Sequence, residues 1–301
     1  MRRWLGPLLF GLGVFLLVTA GMLRLFVADR LIITPIDQYA QTVAVGPGRW
    51  LDGDSGQEQS GDLTAIRTLK ADVPASSEDV AVWDVSVVLQ TGTGKMVRTT
   101  LDRVAVDRKS AEAVNCCGES ADGEPTRHTG VSYKFPFGTE KRDYTWWEPN
   151  SRQAYPAKYI AEEKVQDLTT YKFIQQVPGQ ELLRSGATVW FQTTRTVWVE
   201  PRSGVIVKGS EQASSSLNDQ SGPTIVQFDV TFNEQTQRSQ ADLARDAITS
   251  IRLISLWLPL LALVLGLILV IAGGLLMRGA RPRGADATTS EDEPVPAGSD
   301  R

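Results

Sequence analysis

Histidine and cysteine are nearly absent from this chain: one histidine, His128, and two cysteines stand among 301 residues. A single histidine excludes a His-rich metal centre within one chain. It leaves a Ser-His-Asp arrangement open only through that one residue. Two cysteines exclude a multi-bridge disulfide scaffold and a cysteine-rich zinc module. A basic surplus is missing as well, with 31 Lys and Arg against 35 Asp and Glu. That balance argues against a nucleic-acid-binding domain. No phosphate loop, dinucleotide fingerprint or nucleophile elbow occurs. What is present is a 42% hydrophobic and 8% aromatic composition, enough to bury a core. These observations describe a non-enzymatic membrane or globular protein with no cofactor and no metal.

The apolar residues are concentrated at two places. Leu5 to Leu23 and Leu253 to Met277 carry no charged side chain. A bilayer core needs about 20 helical residues, and backbone in lipid must bond internally, so each run predicts a membrane-spanning helix. Pro7 falls in the first turn of one, and Pro259 predicts a kink in the other. Trp4 and Trp257 sit where interfacial anchors sit. Arg2 and Arg3 precede the first run, Arg278, Arg281 and Arg283 follow the second, and residues 28–252 hold 24 basic and 30 acidic residues. The positive-inside rule then puts both termini in the cytoplasm and the middle of the chain outside. A rival reading of the N-terminus is a cleaved signal peptide ending near Val18-Thr19-Ala20. Both readings export the middle region.

The exported part reads as a mainly antiparallel β domain. Val80 to Leu89 is rich in β-branched residues, Thr91-Gly-Thr-Gly94 supplies a turn, and Met96 to Val106 returns. Thr196 to Lys208 is a hairpin around Pro201-Arg-Ser-Gly204. Val189 to Gln192 and Thr224 to Phe232 add strands. The strands that can be named are few, and Gly46 to Gly61 reads as a long polar loop. From Glu234 to Arg252 the composition becomes helical, with Leu243, Ala247, Ile248 and Ile251 on one face. The predicted organisation is therefore a cytoplasmic N-terminus (1–4), a first span (5–27), the β-rich domain (28–232), a helical stalk (233–252), a second span (253–277) and a disordered cytoplasmic tail (278–301).

Few groups offer chemistry. Cys116 and Cys117 are adjacent and exported, which permits a vicinal disulfide, two quiet thiols or a bond to another chain. Tyr133, Phe135 and Phe137 alternate, so they share a face of an extended strand. Tyr144, Trp146 and Trp147 follow. These six aromatics are candidate ligand-binding residues, with an ordinary β core as the alternative. Trp146 and Trp147 point to opposite faces of a strand, so one of them should leave the core. Glu140, Asp143 and Glu148 are the carboxylates nearest the aromatics, but catalysis would need a fixed pair across a sugar site. Arg127 and His128 read as surface residues.

Three segments carry a resemblance: Gly130-Val-Ser-Tyr-Lys-Phe-Pro-Phe-Gly-Thr-Glu-Lys-Arg-Asp-Tyr144, Leu168-Thr-Thr-Tyr-Lys-Phe173 and Thr196-Val-Trp-Val-Glu-Pro-Arg-Ser-Gly-Val-Ile-Val207. With the flanking spans, the chain resembles an actinobacterial two-pass membrane family of unknown function, often labelled porin PorA. The resemblance implies an envelope channel. A pore needs a polar lining, and the two spans offer little beyond Thr19 and Ser255, so a channel would require a homo-oligomer. The residues themselves point first to a membrane-anchored envelope protein whose β domain binds or passes an apolar component such as lipid. An oligomeric channel and a scaffold for another envelope protein are the alternatives.

Overall fold

The computed structural model describes residues 2–184 and 186–279. It separates into two compact units, Ala28–Ile254 and a helical unit built from Met1–Val27 and Ser255 onward. The tail expected to be disordered lies outside the described residues from position 280 on.

The helical unit pairs α1 (Arg2–Met22) with α4 (Leu258–Gly279). Both are long and apolar enough to cross a membrane. Glycines let their backbones touch. A Cβ on Gly13 would lie 2.6 Å from Val270 N, and one on Gly273 would lie 2.5 Å from Phe10 N. Small residues serve apolar helix pairs in this way, because lipid supplies no hydrophobic drive between them. A π-helical turn, Leu253–Trp257, precedes α4. Pro259 is the second residue of α4, where a missing N–H and a ring facing the preceding turn favour such a widened turn.

The other unit is mainly antiparallel β sheet. Its strands are β1 (Tyr39–Leu51), β2 (Glu58–Ala71), β3 (Val80–Thr91), β4 (Met96–Asp107), β5 (Ser120–Ala121), β6 (Glu124–Pro125), β7 (Tyr144–Glu148), β8 (Gln153–Val165), β9 (Leu168–Arg184), β10 (Ala187–Val199), β11 (Ile206–Leu217) and β12 (Thr224–Phe232). They form one sheet in the order β6-β5-β4-β3-β2-β1-β12-β11-β10-β9-β8-β7. Isolated bridges join the ends: Val106 to Ala113, Glu112 to Val131, and Val131 to Trp146. Residues 112–131 thus stitch β4 to β7 and close the sheet on itself at one end, which removes part of an exposed edge.

Gly46 to Gly61 is not a long loop. It forms the ends of β1 and β2, and only residues 52–57 turn, held by Asp52 Oδ1 accepting from Asp54 N and Ser55 N. Backbone pairing in a broad sheet overrides the low strand propensity of glycine. The strands are also not few: among the described residues twelve pair into one sheet, because sheet pairing draws polar and glycine-rich stretches into strands.

Alternation still sets the interior. In β2 the inward phase carries Leu63, Ala65, Arg67 and Leu69. In β10 it carries Phe191, Thr193, Arg195, Val197 and Val199. Pro178 lacks a donor and sits where the β9–β10 register shifts, as proline in a sheet should. The helix α3 (Glu234–Arg252) is capped by Asn233, whose side chain accepts from Thr236 N at 2.8 Å. Its buried face is Thr236, Ala241 and Ala244 rather than the Leu243 face. The two alanines pack on Val207, and only small residues allow that approach. A short turn of helix, α2 (Ala28–Leu31), precedes β1.

Candidate functional site

The interior of the sheet has two halves. One is an aromatic cluster of Phe135, Tyr144, Trp146 and Phe173 with Val131, Val197, Val199 and Ile206. Phe135 stacks on Phe173 at 4.9 Å between ring centroids and meets Tyr144 and Trp146 edge-on at 5.4 and 5.7 Å. Such geometry adds to simple burial. The turn predicted at residues 201–204 supports it. Gly204 has φ of 70°, and a Cβ there would lie 2.0 Å from Phe135 O. The Glu200 carboxylate accepts from Ser203 N and Oγ.

Beside this cluster lies a partly open cavity of about 150 Å³. Its apolar wall includes Leu89, Val197, Phe228 and Phe232, and its polar wall includes Arg67, Arg98, Arg195, Glu211, Tyr133 and Asn150. Arg195 pairs with buried Glu148 and, at 3.2 Å, with Glu211. Burial works against the charge of Arg195, but the two carboxylates more than offset it and hold its pKa above the ordinary value. Burial pushes Glu148 upward, opposed by Arg195 and by Asn150, which donates through its backbone N and Nδ2. Arg98 donates to Asn150 Oδ1. Burial lowers the pKa of Arg98 and of Arg67.

The structure distributes the six candidate aromatics. Tyr133, Trp146 and Trp147 border the cavity, whereas Phe135 and Tyr144 sit inside the aromatic cluster. Residues 132–143 form turns and coil instead of a strand. Phe137 is half-buried beneath Lys134 Nζ, 3.6 Å from its ring centroid. Lys134 itself is buried, donates to Phe135 O at 3.1 Å, and has its pKa pushed down to about 7 by burial. Both tryptophans are buried, contrary to the expectation that one would leave the core. The reason is residues 112–131, which cover the second face and lay His128 on Trp147 at 4.4 Å.

That same cover corrects the reading of His128. It is fully buried, and its Nε2 meets Asp102 Oδ1 at 2.8 Å. Tyr133 Oη donates to the other oxygen of Asp102 at 2.5 Å. Asn115 accepts from His128 N and donates to His128 O. Arg127 is exposed. Two residues from Asn115, Cys117 is bonded to Cys116 through sulfur, and Glu119 accepts from both backbone amides at 2.9 Å. The three carboxylates near the aromatics do not converge. Glu140 pairs with Arg142 at the surface, Asp143 accepts from Tyr159 N, and Glu148 is inside.

Sequence reasoning missed the charged half: Arg67, Arg98, Arg195 and Glu211. The signal was there, since Arg67 and Arg195 stand in phase with the apolar residues of their strands. A second, wider depression of about 860 Å³ is lined by Arg49, Gln212, Gln227 and Asp229 among others. Those side chains already satisfy one another, Arg49 with Gln227 at 2.5 Å and Gln212 with Asp229 at 2.8 Å.

The family model described as Porin PorA matches residues 5–275. A Porin PorA of Corynebacterium amycolatum is 23% identical, over 91% of this chain and 98% of that protein. A Porin PorA of Corynebacterium resistens is 24% identical, over 59% of this chain and 66% of that protein. With two helices able to span a bilayer and a family match over most of its length, this chain is a membrane protein belonging to the Porin PorA family.

Proposed function

We propose that this is a non-enzymatic, two-pass protein of the cytoplasmic membrane, with both termini cytoplasmic, whose extracytoplasmic β domain binds an envelope component or solute in its interior cavity. The observation that carries the reading is the cavity bordered by Tyr133, Trp146 and Trp147. A void of about 150 Å³ in a protein core accepts one benzene-sized molecule. A whole lipid does not fit, so a lipid would enter only by a short segment, and a small amphiphile fits outright. Arg2 and Arg3 on one flank, and Arg278, Arg281 and Arg283 on the other, support the orientation. The test is mass spectrometry of an organic extract from the full-length protein, purified from a related host. A stoichiometric small amphiphile or lipid supports the reading, and an extract empty of both counts against it.

The second reading is the oligomeric channel that the family name conveys. It is favoured by the span surfaces, which stay largely exposed beyond the contact of α1 with α4. That leaves faces for lipid or for further copies. Reconstitution into a planar bilayer tests it, and the absence of conductance steps would remove it.

A further inference from the structure

Arg67 is the one guanidinium on the cavity wall that has no carboxylate or amide partner among the described residues. Arg195 holds Glu148 and Glu211, and Arg98 holds Asn150. Arg67 faces the rings of Tyr133 and Phe232, at 5.8 and 5.9 Å from their centroids, and no side chain hydrogen-bonds it among the described residues. The buried Asp102 is already engaged by His128 Nε2 and Tyr133 Oη. Arg67 is half-buried on the wall of the open space, and the desolvation there lowers its pKa. Glu211 on the wall and Glu148 buried behind it are both bonded to Arg195, so Glu211 reaches Arg67 only through space. A partly desolvated cation on a largely apolar wall favours a counter-charge beside it.

We propose that the cavity is a binding site for a small organic monoanion, with Arg67 taking its anionic head and the apolar wall taking its body. This rests on the binding reading given above and names the ligand's chemistry. A carboxylate matches the planar fork of a guanidinium. The apolar side offers Val197, Phe228 and Phe232 to an aliphatic or aromatic body. The volume limits the body to about one ring. Lipid headgroups and inorganic anions differ from this class in lacking either the size limit or the apolar body.

Calorimetric titration of the full-length chain in detergent micelles tests the site with two probes of one shape, benzoate and benzyl alcohol. Wild-type protein should bind benzoate about tenfold or more tightly than benzyl alcohol, the size of one charge-assisted hydrogen bond. In Arg67→Met that preference should vanish, and Arg67→Lys should keep part of it. Equal affinity for both probes in the wild type overturns the proposal, and so does unchanged benzoate binding in Arg67→Met. Because the two-probe comparison uses wild-type protein, it decides even where a variant fails to fold. Benzyl alcohol binding without benzoate binding sinks the anion site and leaves the cavity as a binding site. Binding of neither sinks both.

Discussion

The two halves of the sheet interior lie side by side and solve burial in opposite ways. Around Phe135 and Phe173 the space is filled by rings in contact, and the indole N–H of Trp146 is bonded to Ser132 O. Around Arg67 and Arg195 the space is left open and charged. A filled apolar region is stabilised by contact and by removal of apolar surface from water. A charged region gains little net stability even when paired. The difference predicts that the fold depends on the aromatic cluster more than on the cavity beside it.

The largest effect should come from the filled half. Phe173→Ala removes a fully buried ring that touches Phe135, Tyr144 and Tyr159. It should cost about 4 kcal/mol, read as a lowered thermal midpoint by near-UV circular dichroism of the full chain in detergent. In the charged half, Arg195→Met should cost about 3 kcal/mol, because Glu148, fully buried, loses its counter-ion. The double change Arg195→Met with Glu148→Leu should recover most of that loss. No recovery in the double variant would mean that the charged half is structurally necessary, and the contrast between the halves would fail.

Much of this contrast was legible in the residues before the fold. The strands at Val80 to Leu89, Met96 to Val106, Val189 to Gln192 and Thr224 to Phe232 follow from β-branched alternation, and each lies within an observed strand. The start of α3 followed from composition, with Asn233 as its cap. The membrane-length helices followed from uncharged runs. What could not be read was non-local. His128 stands among polar neighbours in the chain and is buried only because residues 112–131 fold over Trp147. The Gly46-Pro-Gly48 stretch lacks strand propensity and is held by β2 and β12 on either side. Arg67 could have been singled out by phase alone, since a charge at an inward position between Ala65 and Leu69 is the anomaly that marks a site.

Lys134 sharpens the contrast at the border of the filled half, because there a charge is buried beside rings without a carboxylate. Its pKa is lowered to about 7 in the folded protein, from an ordinary 10.5, by burial. Between these values the unfolded chain binds more protons than the folded one, so stability should rise with pH across that window. From pH 7 to pH 9 the gain should be about 2 kcal/mol, and below pH 7 the full penalty remains. In Lys134→Met the rise should flatten, measured as thermal midpoints at the two pH values. A wild-type midpoint that does not move would show that Lys134 stays charged in the fold.

The smallest effect should be the most informative. Arg67→Met removes a cation of the same type, from the same cavity, as Arg195→Met. Yet Arg67 leaves no orphaned carboxylate behind, since Glu148 and Glu211 are held by Arg195. Methionine keeps most of the volume and drops the desolvated charge, a change that elsewhere is neutral or stabilising. The thermal midpoint in ligand-free protein should therefore stay level or rise, by at most about 1 kcal/mol in stability. A loss as large as that of Arg195→Met would reveal a structural partner for Arg67 and would put the cavity's charge to use in the fold. Level stability together with lost benzoate preference would assign that charge to ligand binding alone.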